Sequence, residues 1–366
     1  MAYAPLPERM HGVLLMGFGG PEQLQHREDL PVPLPRAGEV LIRVAGSSVN
    51  NTDINTRVGW YSKTVDGPTH SASVGFDAVQ DAAPSWGGAA MAFPRIQGAD
   101  CCGHIAAVGA GVDADRIGQR VLVRPVLRKP ETAPYDFDYF GSECDGGFAQ
   151  FTRVAASAAV PVESGLSDLV LACLPCAYST AENLLSRSDL QAGERVLITG
   201  ASGGVGSAAV QLAHLRGAHV IAQAAQGKHA ALRGIGAQET LDRDAMPLAS
   251  LGKDSVDVVI DLVGGTAWPQ LLELLRRGGR YATSGAIAGP QVTLDLRTLY
   301  LKDLRLLGCT WQDDAVFEQL LAYLAQDRLQ PLLADVYDLR DIAAAQAAFQ
   351  AKHFVGKIAL RIPSVS

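Results

Sequence analysis

The stretch Val196-Leu-Ile-Thr-Gly-Ala-Ser-Gly-Gly-Val-Gly206 most constrains what this chain can fold into. Val196 to Thr199 carry strand chemistry and run into a glycine-rich turn. Val205, Ala208, Ala209, Leu212 and Ala213 then recur at helical spacing as one apolar face. Gly217 supplies a stop, and residues 219–222 read as the next strand. This is one βαβ unit. Its turn aims backbone N–H groups and the positive end of a helix at one point, which suits a pyrophosphate. Gly203 lets the backbone approach phosphates, and Gly206 lets the helix pack close to the strand. Ala201 stands where the strict fingerprint has a glycine, so the match is A-x-G-x-x-G. Gly200 and Gly204 add freedom. Gly200, Ser202, Gly203, Gly204, Val205 and Gly206 are thus the expected dinucleotide cradle, against the alternative of a merely tight βα turn.

The end of the second strand bears on which dinucleotide. An NAD site wants Asp or Glu there, accepting from the ribose 2′-hydroxyl. This chain has Gln223, with Lys228 and His229 just beyond. No carboxylate repels a 2′-phosphate, so NADPH is the expected cofactor.

The chain is 366 residues long and 48% hydrophobic, enough for two domains with large cores. Its net charge of -7, with no lysine- or arginine-rich run, argues against nucleic acid as a partner. No apolar run reaches membrane-spanning length, and Met1 to Arg9 lack the apolar core of a signal peptide. The six cysteines are too sparse for a disulfide framework, which fits a reducing cytoplasm.

Residues 12–18 and 39–46 read as strands around a proline-rich turn at 31–35. A polar segment, Ser48 to Tyr61, follows. Residues 62–95 form a patternless insertion, and strands resume at 96–109, 118–123 and 146–152. Leu169 to Leu185 reads as a helix. From Arg195 strands and helices alternate, with strands at 196–199, 219–222, 256–261, 280–284 and 304–309, which makes a parallel sheet. Val263 in Asp261-Leu-Val-Gly-Gly265, and Ser284 and Gly285 in Thr283-Ser-Gly-Ala286, end strands and can line a nicotinamide. A helix runs from about Asp314 to Gln326. The tail, 352–361, is a turn and strand expected to return to the first domain.

The chain resembles the medium-chain dehydrogenase/reductase superfamily of zinc alcohol dehydrogenases and quinone oxidoreductases. The likeness rests on Gly38 to Val44, Asn50-Asn-Thr-Asp53, Gly98-Ala-Asp100, Gly118 to Val121, the glycine turn, Asp261 to Gly265 and Gly356-Lys357. It implies an α/β protein in which a Rossmann doubly wound parallel sheet (166–324) joins a GroES-like, mostly β catalytic domain. That catalytic domain is discontinuous, 1–165 and 325–366, and carries the 62–95 insertion as a lid or pocket wall. The resemblance also implies Thr180, Lys228 and Lys357 as cofactor contacts, and a homodimer or homotetramer.

Zinc is where the chain departs from the zinc members of that family. Their ligand positions hold Asn50, Ala99-Asp100 and Cys176 here, and of a four-cysteine structural lobe only Cys144 remains. Catalytic zinc needs three protein ligands and an open position. No metal is expected, and the pattern instead resembles zinc-independent quinone oxidoreductases. His104 reads as a packed or exposed histidine, Cys173-Leu-Pro-Cys176 as part of the family pattern rather than a redox pair, and Cys101-Cys102 as packing.

Without a metal, the substrate oxygen must be polarised by hydrogen bonds. Asn50, Thr52 and Tyr61 are the expected donors, with Asp100 as an acid only if burial raises its pKa. Asp53 is expected to hold the loop. Tyr178 can contact cofactor or substrate, or pack in the core. The expected activity is NADPH-dependent reduction of a quinone, enone or related activated carbonyl compound. The alternatives are an alcohol dehydrogenase or carbonyl reductase with a metal on Cys176 and Asp100, and a non-catalytic NADPH-binding protein.

Overall fold

The computed structural model describes residues 6–69, 90–129, 132–133 and 135–365. The first half is strand-rich. It contains β1 (Arg9–Leu15), β2 (Leu24–Pro31), β3 (Glu39–Ser48) and the helix α1 (Asn51–Val58). After the insertion come β4 (Arg95–Ile96), β5 (Cys102–Val108), β6 (Arg120–Val123), β7 (Val126–Arg128) and β8 (Phe137–Tyr139). β9 (Phe151–Ala155) and β10 (Ala159–Pro161) close this half, and α2 (Asp168–Leu171) and α3 (Pro175–Arg187) lead out of it.

The alternating part follows: β11 (Arg195–Ile198), α4 (Gly204–Leu215), β12 (His219–Ala224), α5 (His229–Gly234) and β13 (Glu239–Asp242). It continues through α6 (Pro247–Leu251), β14 (Val256–Asp261), α7 (Trp268–Leu274) and β15 (Leu275–Thr283). It ends with α8 (Leu296–Leu301), β16 (Arg305–Gly308) and α9 (Asp314–Ala325). The tail supplies β17 (Leu333–Asp338), α10 (Ile342–Ala351) and β18 (Lys357–Arg361).

The six alternating strands form one parallel sheet in the order β13-β12-β11-β14-β15-β16. The order reverses beside β11, whose end carries the glycine turn, and ligands of such sheets sit at that switch point. Val196, Leu197 and Ile198 are fully buried, as a central parallel strand requires. A seven-stranded sheet, β10-β6-β5-β3-β18-β17 with β9 also on β3, draws on both chain ends. β18 pairs antiparallel with β3, so the tail does return to the first half. Among the described residues no helix is long and apolar enough to cross a membrane.

Five elements differ from the sequence reading. β2 occupies 24–31, just ahead of the expected proline turn; its exposed polar residues at an outer edge gave no alternation. The polar segment after Ser48 is the helix α1, with Thr52 to Val58 all buried, so no apolar stripe marked it. The helix expected over 169–185 breaks, because Pro175 can start a helix but not continue one. β13 is a sixth strand of four half-buried residues at the sheet edge, too short to show a period. The strand expected at 146–152 begins later, at Phe151. Gly146 and Gly147 pack backbone to backbone: a Cβ there would lie 2.4 Å from the Gly98 carbonyl and 2.2 Å from that of Asp100. Of the 62–95 insertion, residues 70–89, including Trp86, lie outside the described residues.

Candidate functional site

The glycine turn leaves β11 through Gly200, at φ +60°, a left-handed conformation that favours glycine. Ala201 N–H donates to the Gln223 carbonyl at 3.0 Å, tying the turn to the end of β12. A Cβ on Gly206 would lie 2.3 Å from the Gly200 carbonyl, so only glycine fits there. A Cβ on Gly203 would meet nothing closer than 3.6 Å, so that side of the turn is open. No side chain caps α4, which starts at Gly204 and runs on through Val205 and Gly206. Uncapped first-turn N–H groups facing open space fit a pyrophosphate.

Cations gather beside this turn. Lys228 Nζ donates to Ser202 Oγ at 3.3 Å and to the Lys352 carbonyl at 2.5 Å. Lys352 was not singled out in the sequence. Its Nζ donates to Asn51 Oδ1 at 3.3 Å and lies 3.5 Å above the Phe349 ring. Neither lysine is bonded to a carboxylate among the described residues. Burial, then the charges of Lys228 and Lys357, lower the Lys352 pKa to about 7. Burial, then Arg243, lowers that of Lys228. Two under-neutralised cations beside a phosphate cradle suit a further phosphate. Gln223, at the end of β12, turns its Nε2 to the carbonyls of Asp242, Arg243 and Ala245.

The strand ends across the switch point are ordered by Asp261. Its carboxylate accepts from Thr199 Oγ1 at 2.5 Å, Tyr281 OH at 2.7 Å and Val263 N–H at 3.0 Å. Val263 thereby closes against Gly200: its Cγ2 would lie 3.3 Å from a Cβ there. Ser284 Oγ is buried with no hydrogen-bond partner, beside Gly285 at the end of β15. An orphaned hydroxyl at this place fits an absent polar ligand such as a nicotinamide. Thr180 Oγ1 donates to the Cys176 carbonyl at 2.7 Å. Tyr178 resolves to core packing: it is buried, and its OH accepts from Gln211 Nε2 at 2.9 Å and Leu332 N–H at 3.1 Å.

Facing this sheet, α1 begins after Asn50. Asp53 Oδ2 accepts from Asn50 N–H at 2.8 Å and its Oδ1 from Ala99 N–H at 3.3 Å, so Asp53 holds the loop. Burial, opposed mainly by the Asn50 N–H bond, pushes its pKa up to about 7. Asp100 is fully buried and saturated. Oδ1 accepts from Cys176 N–H at 2.7 Å. Oδ2 accepts from Asn50 Nδ2 at 2.7 Å, Lys357 Nζ at 3.0 Å and Ser48 Oγ. Lys357 Nζ also donates to Val49 O at 3.1 Å and to Asn50 Oδ1. Burial alone lowers the Lys357 pKa, but Asp100 and then the two thiols more than offset it, and the net shift is upward.

This cluster reassigns three side chains. Asn50 Nδ2 donates to Asp100 and, at 3.3 Å, to Ser48 O, so both amide hydrogens point inward. Asp100 accepts at both oxygens and is an anchor rather than an acid. The Lys357 ammonium is committed to Asp100, and only its stem lies against the glycine turn, 2.7 Å from a Cβ on Gly204. Thr52 and Tyr61 remain together, with Tyr61 OH donating to Thr52 Oγ1 at 3.3 Å. Tyr139, on β8, joins them unforeseen, its buried OH 3.2 Å from Cys176 Sγ. No spacing pattern marked it.

The residues do not fit a catalytic zinc. Among the described residues Cys176 and Asp100 are the donors left at those positions; Asp100 is saturated, and burial followed by Asp100 raises the Cys176 pKa to about 12. Burial raises Cys173 likewise to about 12, against a redox dithiol. His104 lies half-buried in β5 and gathers no other ligand among the described residues.

Residues 36–164 match the alcohol dehydrogenase GroES-like domain, and 204–326 the family described as zinc-binding dehydrogenase. An acryloyl-coenzyme A reductase of Metallosphaera sedula is 28% identical, covering 96% of this chain and 99% of its own length. A quinone oxidoreductase of Mus musculus is 30% identical, covering 95% and 96%. A solved Sinorhizobium meliloti protein proposed to be an alcohol dehydrogenase superposes with TM-score 0.87 at 44% identity, covering 98% of each chain. An oxidoreductase with a GroES-like domain and a Rossmann sheet is the class these features define. The chain belongs to the medium-chain dehydrogenase/reductase superfamily.

Proposed function

We propose that this protein is an NADPH-dependent reductase of activated carbonyl compounds, quinones or enones, working without zinc. The observation that carries the reading is the Lys357–Asp100 pair, fully buried where a metal would need its ligands. The names of the relatives support the substrate class, since quinones and acryloyl thioesters are both electron-poor conjugated carbonyls.

The α4 N-terminus at Gly203 to Gly206 would hold the pyrophosphate, and Lys228 with Lys352 the 2′-phosphate. Val263, Ser284, Gly285 and Thr180 would line the nicotinamide. The bound cofactor supplies the hydride. Thr52 and Tyr61 hydrogen-bond the substrate oxygen as negative charge collects there, and Tyr61 is the proton donor. A conjugated acceptor delocalises that charge, so hydroxyl donors suffice where an unactivated ketone would need a Lewis acid.

The start of the insertion reaches the nucleotide side: Thr69 N–H donates to the Ile287 carbonyl at 3.1 Å. This favours the insertion as a wall or lid that sets substrate size. The open edge strand β16 and the neighbouring α8 expose Leu306, Leu296, Tyr300 and Leu301. Such an edge favours a dimer. Fluorescence titration with NADPH and NADH, followed by initial rates with quinones, enones and aldehydes, tests the reading. NADPH preference with turnover of conjugated acceptors is expected. Binding without turnover of any acceptor would return the protein to the non-catalytic class.

A further inference from the structure

We infer that the β1–β2 hairpin carries a site for a zinc-like divalent cation, built from His11, His26 and Glu28. The hairpin belongs to a separate three-stranded sheet, β2-β1-β4, which supplies none of the cleft residues named above.

The ladder explains how the three side chains meet. Val13 pairs with His26 and Gly12 with Arg27, but Met10 pairs with Leu30. His11 therefore stands opposite two residues, Glu28 and Asp29. Such a bulge twists the strand and re-aims its side chains. Asp29 turns to Arg27, with bonds of 3.0 and 2.9 Å. Glu28 is left on the face it shares with His26, since residues two apart on a strand point the same way. Its carboxylate lies 4.0 Å from His11 Nδ1. The two imidazoles meet edge to face, with centroids 5.8 Å apart.

The ligand atoms of all three lie within 4.8 Å of one another, the one such group among the described residues. Around a cation at bond lengths of about 2.0–2.1 Å, tetrahedral ligand atoms are about 3.4 Å apart. Small side-chain rotations close that difference, and half-buried histidines beside an exposed glutamate leave room for them. Two imidazole nitrogens and one carboxylate oxygen select zinc, nickel or copper over magnesium or calcium. The surrounding charges nearly cancel. Arg340 and Asp341 face His26 with opposite signs, Arg27 is bonded to the Asp29 carboxylate, and Arg9 donates to the Asp29 main-chain carbonyl. Among the described residues Glu28 pairs with no arginine, which leaves it available to a cation. A bound ion would clamp the edge strand β2 onto β1.

The test is calorimetric titration of the full-length, chelator-treated protein with zinc chloride at pH 7.5, with cobalt(II) absorption as a second readout. One equivalent is expected, with its cobalt spectrum, and a melting midpoint that rises with zinc. H11A and H26A should each weaken binding at least tenfold and abolish the rise in melting midpoint, whereas C176S should leave both unchanged. No titratable equivalent in the wild type overturns the site. So does an equivalent that survives in H11A/H26A, or one that disappears in C176S.

Discussion

Replacing Lys357 by Met isolates the pair on which the cleft is built. Lys357 and Asp100 have side-chain exposures of 1% and 0%, so solvent screens almost none of their interaction. Removing one partner of a buried pair costs about 3–5 kcal/mol, because the other charge is stranded. Asp100 would keep its bonds from Asn50, Ser48 and Cys176 N–H, which places the cost at the lower end, about 3 kcal/mol. In a chain of 366 residues that is a fall of roughly 4 °C in melting temperature. The double variant D100N/K357M strands no charge, so it should recover more than half of the loss. Urea unfolding of wild type, both single variants and the double variant gives the coupling energy directly. A K357M variant as stable as wild type would refute the pairing. A double variant whose loss equals the sum of the two singles would refute the coupling.

Other outcomes follow from single positions. Lys352, with its pKa near 7, binds phosphate only when protonated, so NADPH affinity should fall as pH rises through 7. K352M should bind more weakly and lose that dependence while changing NADH affinity little; a wild-type dissociation constant flat from pH 6 to 9 contradicts this. G206A forces a Cβ to 2.3 Å from the Gly200 carbonyl and should weaken NADPH binding at least tenfold, as titration will read. Asp53 has its folded pKa raised from 3.8 to about 7 by burial, so the folded state binds the extra proton between those values. Its contribution to stability is therefore fully present below pH 4 and lost as pH rises through 7. D53N should flatten the decline in unfolding free energy between pH 5 and 8, and an unchanged slope would count against the assignment. Deleting residues 70–89 should alter Michaelis constants unequally for bulky and small enones; equal values would remove the lid.

The sequence made the nucleotide half legible because its signals are local. Val196 to Gly206 carries a strand, a turn and a helix start within eleven residues, and each has one physical reading. The β-rich half was less legible because its information is not local. Asp100, Asn50, Cys176 and Lys357 meet across as many as 307 residues of chain, from Asn50 to Lys357, and no spacing rule reaches that far. Resemblance named those residues but not their roles: only the geometry shows that Asn50 and Asp100 face each other rather than a substrate. α1 escaped because a helix buried on all sides carries no apolar period. Lys352 escaped because a lone tail lysine reads as solvated until Lys228 is seen beside it.

The most direct test of the account is the initial rate of NADPH oxidation by an enone, measured on wild-type protein before and after removal of metal with a chelator. The account predicts equal rates, and no gain when zinc is returned. A rate that vanishes with the metal and comes back with zinc would contradict a cleft whose metal place is filled by Lys357 and Asp100.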